Sequence, residues 1–215
     1  MLSIENLFEA KPKMTKKLKE LEFECVPDME PPKPQSKEMV KDLNDVIFYH
    51  TNPCLREGFL DSSNNSVKKI FKIYCKENNY KVNWKRIGNL LDELKIINSS
   101  LKKKHKRPRP KNYLKNISQK YEDVIDVDSY SFPSGHTSQA YFIANLLGHA
   151  IPEARADFEN IAALIGQSRI ENAVHYPSDV MYGRLVGECC ANNYNRNSEA
   201  ESQEFFKKRS RSHNK

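Results

Sequence analysis

The chain has 215 residues, with 35 Lys and Arg against 28 Asp and Glu, a net charge of +7 and a mean hydropathy of −0.76. That length suits one domain with a sizeable core and tails, and the polarity excludes a bundle of membrane-spanning helices. Even the most apolar stretch, residues 140–151, is broken by Asn145, Gly148 and His149 and falls short of the roughly 18 to 20 apolar residues a span requires.

Residues 1–30 read as an N-terminal arm: a short amphipathic pattern rich in Lys and Glu, interrupted by Pro12, and then an extended segment set by Pro27, Pro31, Pro32 and Pro34. The opening Met1-Leu2-Ser3-Ile4-Glu5-Asn6 lacks a basic region followed by an apolar one. The chain as written is therefore expected in the cytoplasm, or in the periplasm if a leader has been removed. From Ser36, a helix N-cap, Val40, Leu43 and Ile47 recur at helical spacing and predict the first packed helix, which Asn52-Pro53 ends. Residues 66–78 (Val67, Ile70, Phe71, Ile73, Tyr74) and 82–103 (Trp84, Ile87, Leu90, Leu91, Leu94, Ile97, Leu101) repeat the pattern as helices packed on one side.

The second of these runs into Lys102-Lys103-Lys104-His105-Lys106-Arg107-Pro108-Arg109-Pro110, where each proline pushes the arginine before it out of the helical region. The helix should end near Lys106, with a loop-rich stretch to Asp128. Ser131-Phe132-Pro133-Ser134-Gly135-His136 then starts a helix in which His136, Ala140, Ile143, Ala144 and Leu147 share a stripe. Pro152 opens another, with Phe158, Ile161, Ala162, Ile165, Ser168 and Arg169 along one face. His175-Tyr176-Pro177-Ser178-Asp179 begins a last core helix, Pro177 fitting its first position, which is expected to end near Ala191 and leave residues 192–215 as a polar, basic tail that frays. The five cysteines (Cys25, Cys54, Cys75, Cys189, Cys190) are odd in number and lack CxxC spacing, which argues against a disulfide framework and a zinc site. With no repeat and no strand-like alternation, the expected fold is all-α, its helical domain spanning residues 31–191.

The chemistry-bearing residues are Lys102, Arg109, Ser134, Gly135, His136, Arg169, His175 and Asp179. Each has an ordinary structural explanation alone: a solvated lysine, a turn, a core histidine, an acid at a helix start. Together they supply the parts of one reaction on an oxyanion. A helix N-terminus at Ser134-Gly135 offers unpaired N–H groups and a bare backbone to an anion. Arg169 on an apolar stripe calls for a carboxylate or a bound anion. Asp179, near the third helical position, can reach back to His175 as in a capping box.

The pattern Lys102-x6-Arg109-Pro110, Pro133-Ser134-Gly135-His136 and Ser168-Arg169-x5-His175-x3-Asp179 resembles the three-part signature of the type 2 phosphatidic acid phosphatase and vanadium haloperoxidase superfamily. The wording of Ser131-Phe132-Pro133-Ser134-Gly135-His136-Thr137, Gly166-Gln167-Ser168-Arg169 and His175-Tyr176-Pro177-Ser178-Asp179-Val180 is most similar to the bacterial class A non-specific acid phosphatases. Pro31-Pro32-Lys33-Pro34, leading into Ser36 and Asp42-Leu43, resembles the way those mature enzymes begin. The resemblance implies an all-helical, metal-free phosphomonoesterase acting on small phosphorylated substrates through a phosphohistidine, with no cofactor and with vanadate as a phosphate-mimicking inhibitor. In it His175 would be the nucleophile, Asp179 its orienter and His136 the acid for the leaving group. Lys102, Arg109, Arg169, Ser134 and the Gly135 N–H would bind the phosphate. The family also implies a homo-oligomer.

Two other functions stay open on the sequence. The same cations and histidine could hold vanadate in a haloperoxidase, although the local wording favours the phosphatase. The basic run 102–111 and the basic tail could bind nucleic acid, but aromatic residues that would stack on bases are sparse there, which makes nucleic acid the weaker partner.

Overall fold

Side-chain caps mark where the helices begin. Ser36 Oγ accepts the Met39 N–H at 3.1 Å, Ser66 Oγ that of Lys69 at 3.3 Å, Asn83 Oδ1 that of Arg86 at 3.0 Å and Ser134 Oγ that of Thr137 at 3.4 Å. Each satisfies one of the N–H groups a helix start leaves unpaired. The computed structural model describes residues 25–115 and 127–212, so residues 1–24 of the arm expected over 1–30 and residues 116–126 of the expected loop before Asp128 lie outside the described residues. In chain order the helices are α1 (Lys37–Thr51), α2 (Glu57–Asn65), α3 (Val67–Glu77), α4 (Trp84–His105), the single turn α5 (Lys111–Leu114), α6 (Gly135–Ala150), a 3-10 turn (Pro152–Ala154), α7 (Arg155–Glu171) and α8 (Pro177–Ser212). There is no strand among the described residues, and the all-α expectation holds.

α6 is the central helix. Tyr141, Phe142, Ile143, Ala144, Leu146 and Leu147 are all buried, so its apolar surface is wider than the single stripe read from its sequence, as befits a helix surrounded by others. α3 supplies Val67, Phe71 and Cys75 to the same core, α4 supplies Ile87, Leu91, Leu94 and Leu101, α7 supplies Phe158, Ala162 and Ile165, and α8 supplies Tyr182, Val186 and Tyr194. A second, smaller cluster of Met39, Val46, Leu114, Ile170, Ala173 and Tyr176 lies under α1.

Three expectations need correction. The buried face of α1 is Met39, Asp42 and Val46, whereas Val40 is 52% exposed; an apolar count passes over this face because it turns on a buried carboxylate. α2 was not expected at all, since Gly58, two serines and two asparagines dilute its apolar spacing. α8 does not stop near Ala191 but continues to Ser212. The asparagines after Ala191 read as a stop, yet Tyr194 is buried in the core and its hydroxyl accepts a 2.9 Å hydrogen bond from Arg86 Nε.

The approach of α6 to α8 depends on glycine. A Cβ at Gly183 would lie 2.5 Å from the Ser134 carbonyl oxygen, and one at Gly187 would lie 2.3 Å from that of Ser138 and 2.9 Å from the Phe142 nitrogen. These are backbone atoms, which cannot step aside as a flexible side chain would. Gly187→Ala is expected to lower stability by about 1–3 kcal/mol despite alanine's higher helix propensity. Urea denaturation checks this, and an unchanged or raised midpoint would contradict the packing described.

Candidate active site

α4 ends where Lys106 takes a left-handed conformation (φ 48°) with its N–H on the Lys102 carbonyl. The following Arg107-Pro108-Arg109-Pro110 leaves the helix axis, tied by the Ser131 N–H to the Arg107 carbonyl at 2.9 Å. The two arginines, two residues apart, face different surroundings. Arg107 donates to Asp179 Oδ1 at 2.6 Å, to Asp42 Oδ2 at 2.7 Å and to Ser178 Oγ at 2.7 Å, with its guanidinium 3.9 Å from the Tyr176 ring centroid. Arg109 donates to the carbonyls of Ser129 and Val174, at 2.7 and 2.6 Å, and its Nη1 lies 3.2 Å from His175 Nε2. The Lys102 ammonium donates to the Tyr130 carbonyl.

Ser134 starts α6 fully buried. Its oxygen accepts from the Thr137 N–H and from Thr137 Oγ1 at 2.8 Å, which leaves its own proton free to donate. The adjoining Gly135 opens on empty space, with no atom within 4 Å of a hypothetical Cβ. The Ser134 N–H is bonded to the Asp179 carbonyl at 2.9 Å, which joins the starts of α6 and α8.

Arg169 lies in the last turn of α7, and the N–H groups of Val174 and His175 both bond its carbonyl at 3.2 Å. Between them Ala173 adopts φ 51°, a conformation that costs a non-glycine residue about 1–2 kcal/mol. This tight return sets His175 against Arg169. At the start of α8, Asp179 Oδ2 accepts the Tyr176 N–H at 3.0 Å and faces His175 Nδ1 at 3.2 Å. The capping-box expectation is met, with the backbone bond made to Tyr176 rather than to His175.

All eight sequence-selected residues therefore meet around the α6 N-terminus. The residues that sequence reasoning missed are Ser63 and Asn64 of α2, and Asp42 and Arg107. Ser63 Oγ accepts from Arg169 Nη2 at 2.8 Å and donates to Ser168 Oγ at 2.9 Å, and the His136 ring is bonded to the Asn64 backbone. The signals Asp42 carried were its place in the Asp42-Leu43 resemblance and its helical spacing from Met39 and Val46.

Electrostatics separates the two arginines. Burial and Arg109 push Lys102 down to about 7, while burial alone takes Arg109 to about 10, against a smaller upward pull from Asp179. Burial together with Arg109 takes Arg169 to about 10. His136 falls to about 4 and His175 well below its ordinary range, in both cases first through burial and then through these cations. Arg107, by contrast, has its charge reinforced by Asp179 and Asp42, which outweigh its burial. Among the described residues no carboxylate forms a salt bridge with Lys102, Arg109 or Arg169, and the Arg169 guanidinium is met by the hydroxyls of Ser63 and Ser168. The run 102–111 is a solvated basic patch only in part, at the exposed Lys103, Lys104 and Lys106. Arg107 and Arg109 are buried, and Lys104 pairs with Asp28 at 2.6 Å.

The PAP2 superfamily model matches residues 93–200, half of the chain. A non-specific acid phosphatase of Salmonella typhimurium is 31% identical over 131 residues, 57% of this chain and 52% of the relative. One from Salmonella typhi is 32% identical over 132 residues, with the same coverage. The chain thus spans about half the length of the curated relatives it matches. Among solved structures, a transmembrane PAP2 type phosphatidylglycerolphosphate phosphatase from Bacillus subtilis superposes with a TM-score of 0.53 at 17% identity, over 95% of this chain and 98% of that one, and shares the fold. Among the described residues here, no helix is long and apolar enough to cross a membrane.

A site this positive should take up protons when it binds an anion. Near pH 7.5 the empty site holds Lys102 largely neutral, because its value lies near 7. A bound dianion restores the charged form, so the sign is uptake. Sulfate, which has no proton to exchange at this pH, should bind with uptake of up to about three quarters of a proton at Lys102. Calorimetry in two buffers of different ionisation enthalpy measures it, and enthalpies independent of the buffer would contradict the assignment.

Proposed function

Because the chain belongs to the PAP2 superfamily, we propose that it hydrolyses small soluble phosphate monoesters, nucleotides among them, without a metal ion and through a phosphohistidine at His175. The observation that carries this reading is the disposition of the His175 ring. With Nδ1 held by Asp179 at 3.2 Å, the other nitrogen, Nε2, keeps its lone pair and faces Arg109 Nη1 at 3.2 Å. It is an uncharged nitrogen set beside cations that form no salt bridge with a carboxylate among the described residues.

In this mechanism the phosphate dianion sits among Lys102, Arg109 and Arg169, with the Ser134 hydroxyl and the Gly135 N–H completing its donors. The arginines act as planar forks and the lysine as a point charge. Phosphoryl transfer needs mainly positioning and charge stabilisation, which these groups supply in place of a metal. The His175 Nε2 lone pair forms the N–P bond as the ester P–O bond breaks, and Asp179 stabilises the cationic ring that results. His136 gives its proton to the leaving alkoxide. It then takes a proton from water as the water oxygen bonds phosphorus and the N–P bond breaks, releasing phosphate and the original ring. An alcohol in place of water would receive the phosphoryl group instead.

The low value of His136, about 4 in the empty site, fits an acid-side optimum. Burial and the neighbouring cations disfavour its protonation. A bound dianion offsets the cations, so the protonated acid forms in the substrate complex and at mildly acidic pH. Vanadate, with the geometry of the transferring phosphoryl group, should inhibit by occupying the same donors.

The test is phosphate release in EDTA from p-nitrophenyl phosphate and from an alkyl phosphate such as glycerol phosphate. His175→Ala should lose activity by about 10³-fold or more on both. His136→Ala should lose about 10²–10⁴-fold on the alkyl ester and clearly less on the nitrophenyl ester, whose leaving group departs without a proton. Equal losses on the two esters would remove His136 from the acid role, and activity surviving in His175→Ala would remove the phosphohistidine.

A further inference from the structure

Beside the groups just assigned, the buried Arg107 is shared between two carboxylates. Asp42 of α1, 7% exposed, meets Arg107 Nη2 at 2.7 Å, and Arg107 Nη1 meets Asp179 Oδ1 at 2.6 Å. Asp179 then turns its other oxygen to His175 Nδ1 and the Tyr176 N–H. Asp42 also accepts the Ser178 N–H at 3.2 Å, in the first turn of α8, as well as the Ser178 hydroxyl. Four side chains thus form one line, Asp42, Arg107, Asp179, His175, drawn from α1, the loop after α4 and the start of α8.

We propose that Asp42 is a positioning residue for the nucleophile, acting through Arg107 to leave Asp179 free to hold the His175 imidazole. The proposal rests on the phosphohistidine reading and goes beyond it to residues that touch neither phosphate nor water. The reason is charge balance in a buried, poorly screened place. Asp179 is fully buried, and burial favours its neutral form; Arg107 is what opposes this most strongly. A protonated Asp179 would have a weaker hold on the Nδ1 proton. If Arg107 had Asp179 as its sole partner, however, the pair would be neutral overall and Asp179 would have little negative charge left to stabilise a cationic His175. Asp42 resolves this by sharing the guanidinium. Asp42, Arg107 and Asp179 sum to one negative charge, which the ring balances when it becomes cationic on phosphorylation. The arginine's planar fork matters here because it reaches both carboxylates at once, which a lysine cannot do with comparable geometry.

Asp42→Asn keeps the shape and the Oδ1 contact with the Ser178 N–H while removing the charge. It is expected to lower kcat on p-nitrophenyl phosphate about 10–100-fold with KM changed less than threefold, and to leave sulfate affinity unchanged, since the phosphate-binding cations are untouched. The downfield proton resonance of the His175 Nδ1–H, assigned by its loss in His175→Ala, should move upfield, which a role confined to fastening α1 would not produce. Asp42→Glu should recover part of both signals. If Asp42→Asn melts below the assay temperature, Arg107→Lys carries the same test, since it keeps a positive charge but cannot bridge both carboxylates. A folded Asp42→Asn or Arg107→Lys with unchanged kcat and an unmoved resonance overturns the proposal. If the wild-type protein hydrolyses no phosphate ester, the phosphatase reading fails, and the resonance by itself still decides whether Asp42 acts on His175.

Discussion

Holding Lys102 beside the buried Arg109 and Arg169 costs several kcal/mol per buried ion when no carboxylate among the described residues pairs with them, and the surrounding structure is arranged to meet that cost. Arg109 spends its donors on the carbonyls of Ser129 and Val174 and on the Ser129 hydroxyl; Arg169 spends its own on Ser63 and Ser168; Lys102 reaches the Tyr130 carbonyl. These neutral acceptors hold the cations in place without cancelling their charge. Burial first, and then this field, depresses both histidines, and the field favours a dianion at the N-terminus of α6, where the helix dipole has the same sign.

That arrangement requires helices α6 and α8 to start side by side. Gly183 and Gly187 let the two backbones approach more closely than any side chain would permit, and the Ser134 N–H to Asp179 carbonyl bond ties the two starts. The Ser134-Gly135 turn and the carboxylate that faces His175 are therefore fixed relative to each other by backbone rather than by flexible side chains. α2 closes the other side, its Ser63 on Arg169 and its Asn64 on His136. A weakly helical stretch is held there by Glu171, whose carboxylate accepts the N–H groups of Cys54 and Leu55 at 3.1 Å just ahead of that helix.

Arg107 and Arg109 show how position overrides residue type. Both are arginines before proline, in one run of basic residues, yet among the described residues one pairs with two carboxylates and the other with none. The sequence spacing from Lys102 selects Arg109 as the member of the signature, and its place beside His175 Nε2 agrees with that selection. The spacing is silent on Arg107, because the partners that define it, Asp42 and Asp179, lie 65 and 72 residues away.

What the sequence determined by itself is local: the starts of α1 and α6 at Ser36 and Ser134, the end of α4 at the Arg-Pro run, the return of Asp179 onto the chain just before it, and the eight residues whose spacing carries the family signature. Each depends on contacts within a few residues, which a pattern can encode. Only the tertiary structure decided that α1 buries Asp42 rather than Val40, that the stretch after Cys54 forms a helix at all, and that α8 runs on past Ala191 because Tyr194 packs in the core. Those outcomes turn on partners more than 60 residues away, where a buried charge or a polar helix is stable only because something distant meets it.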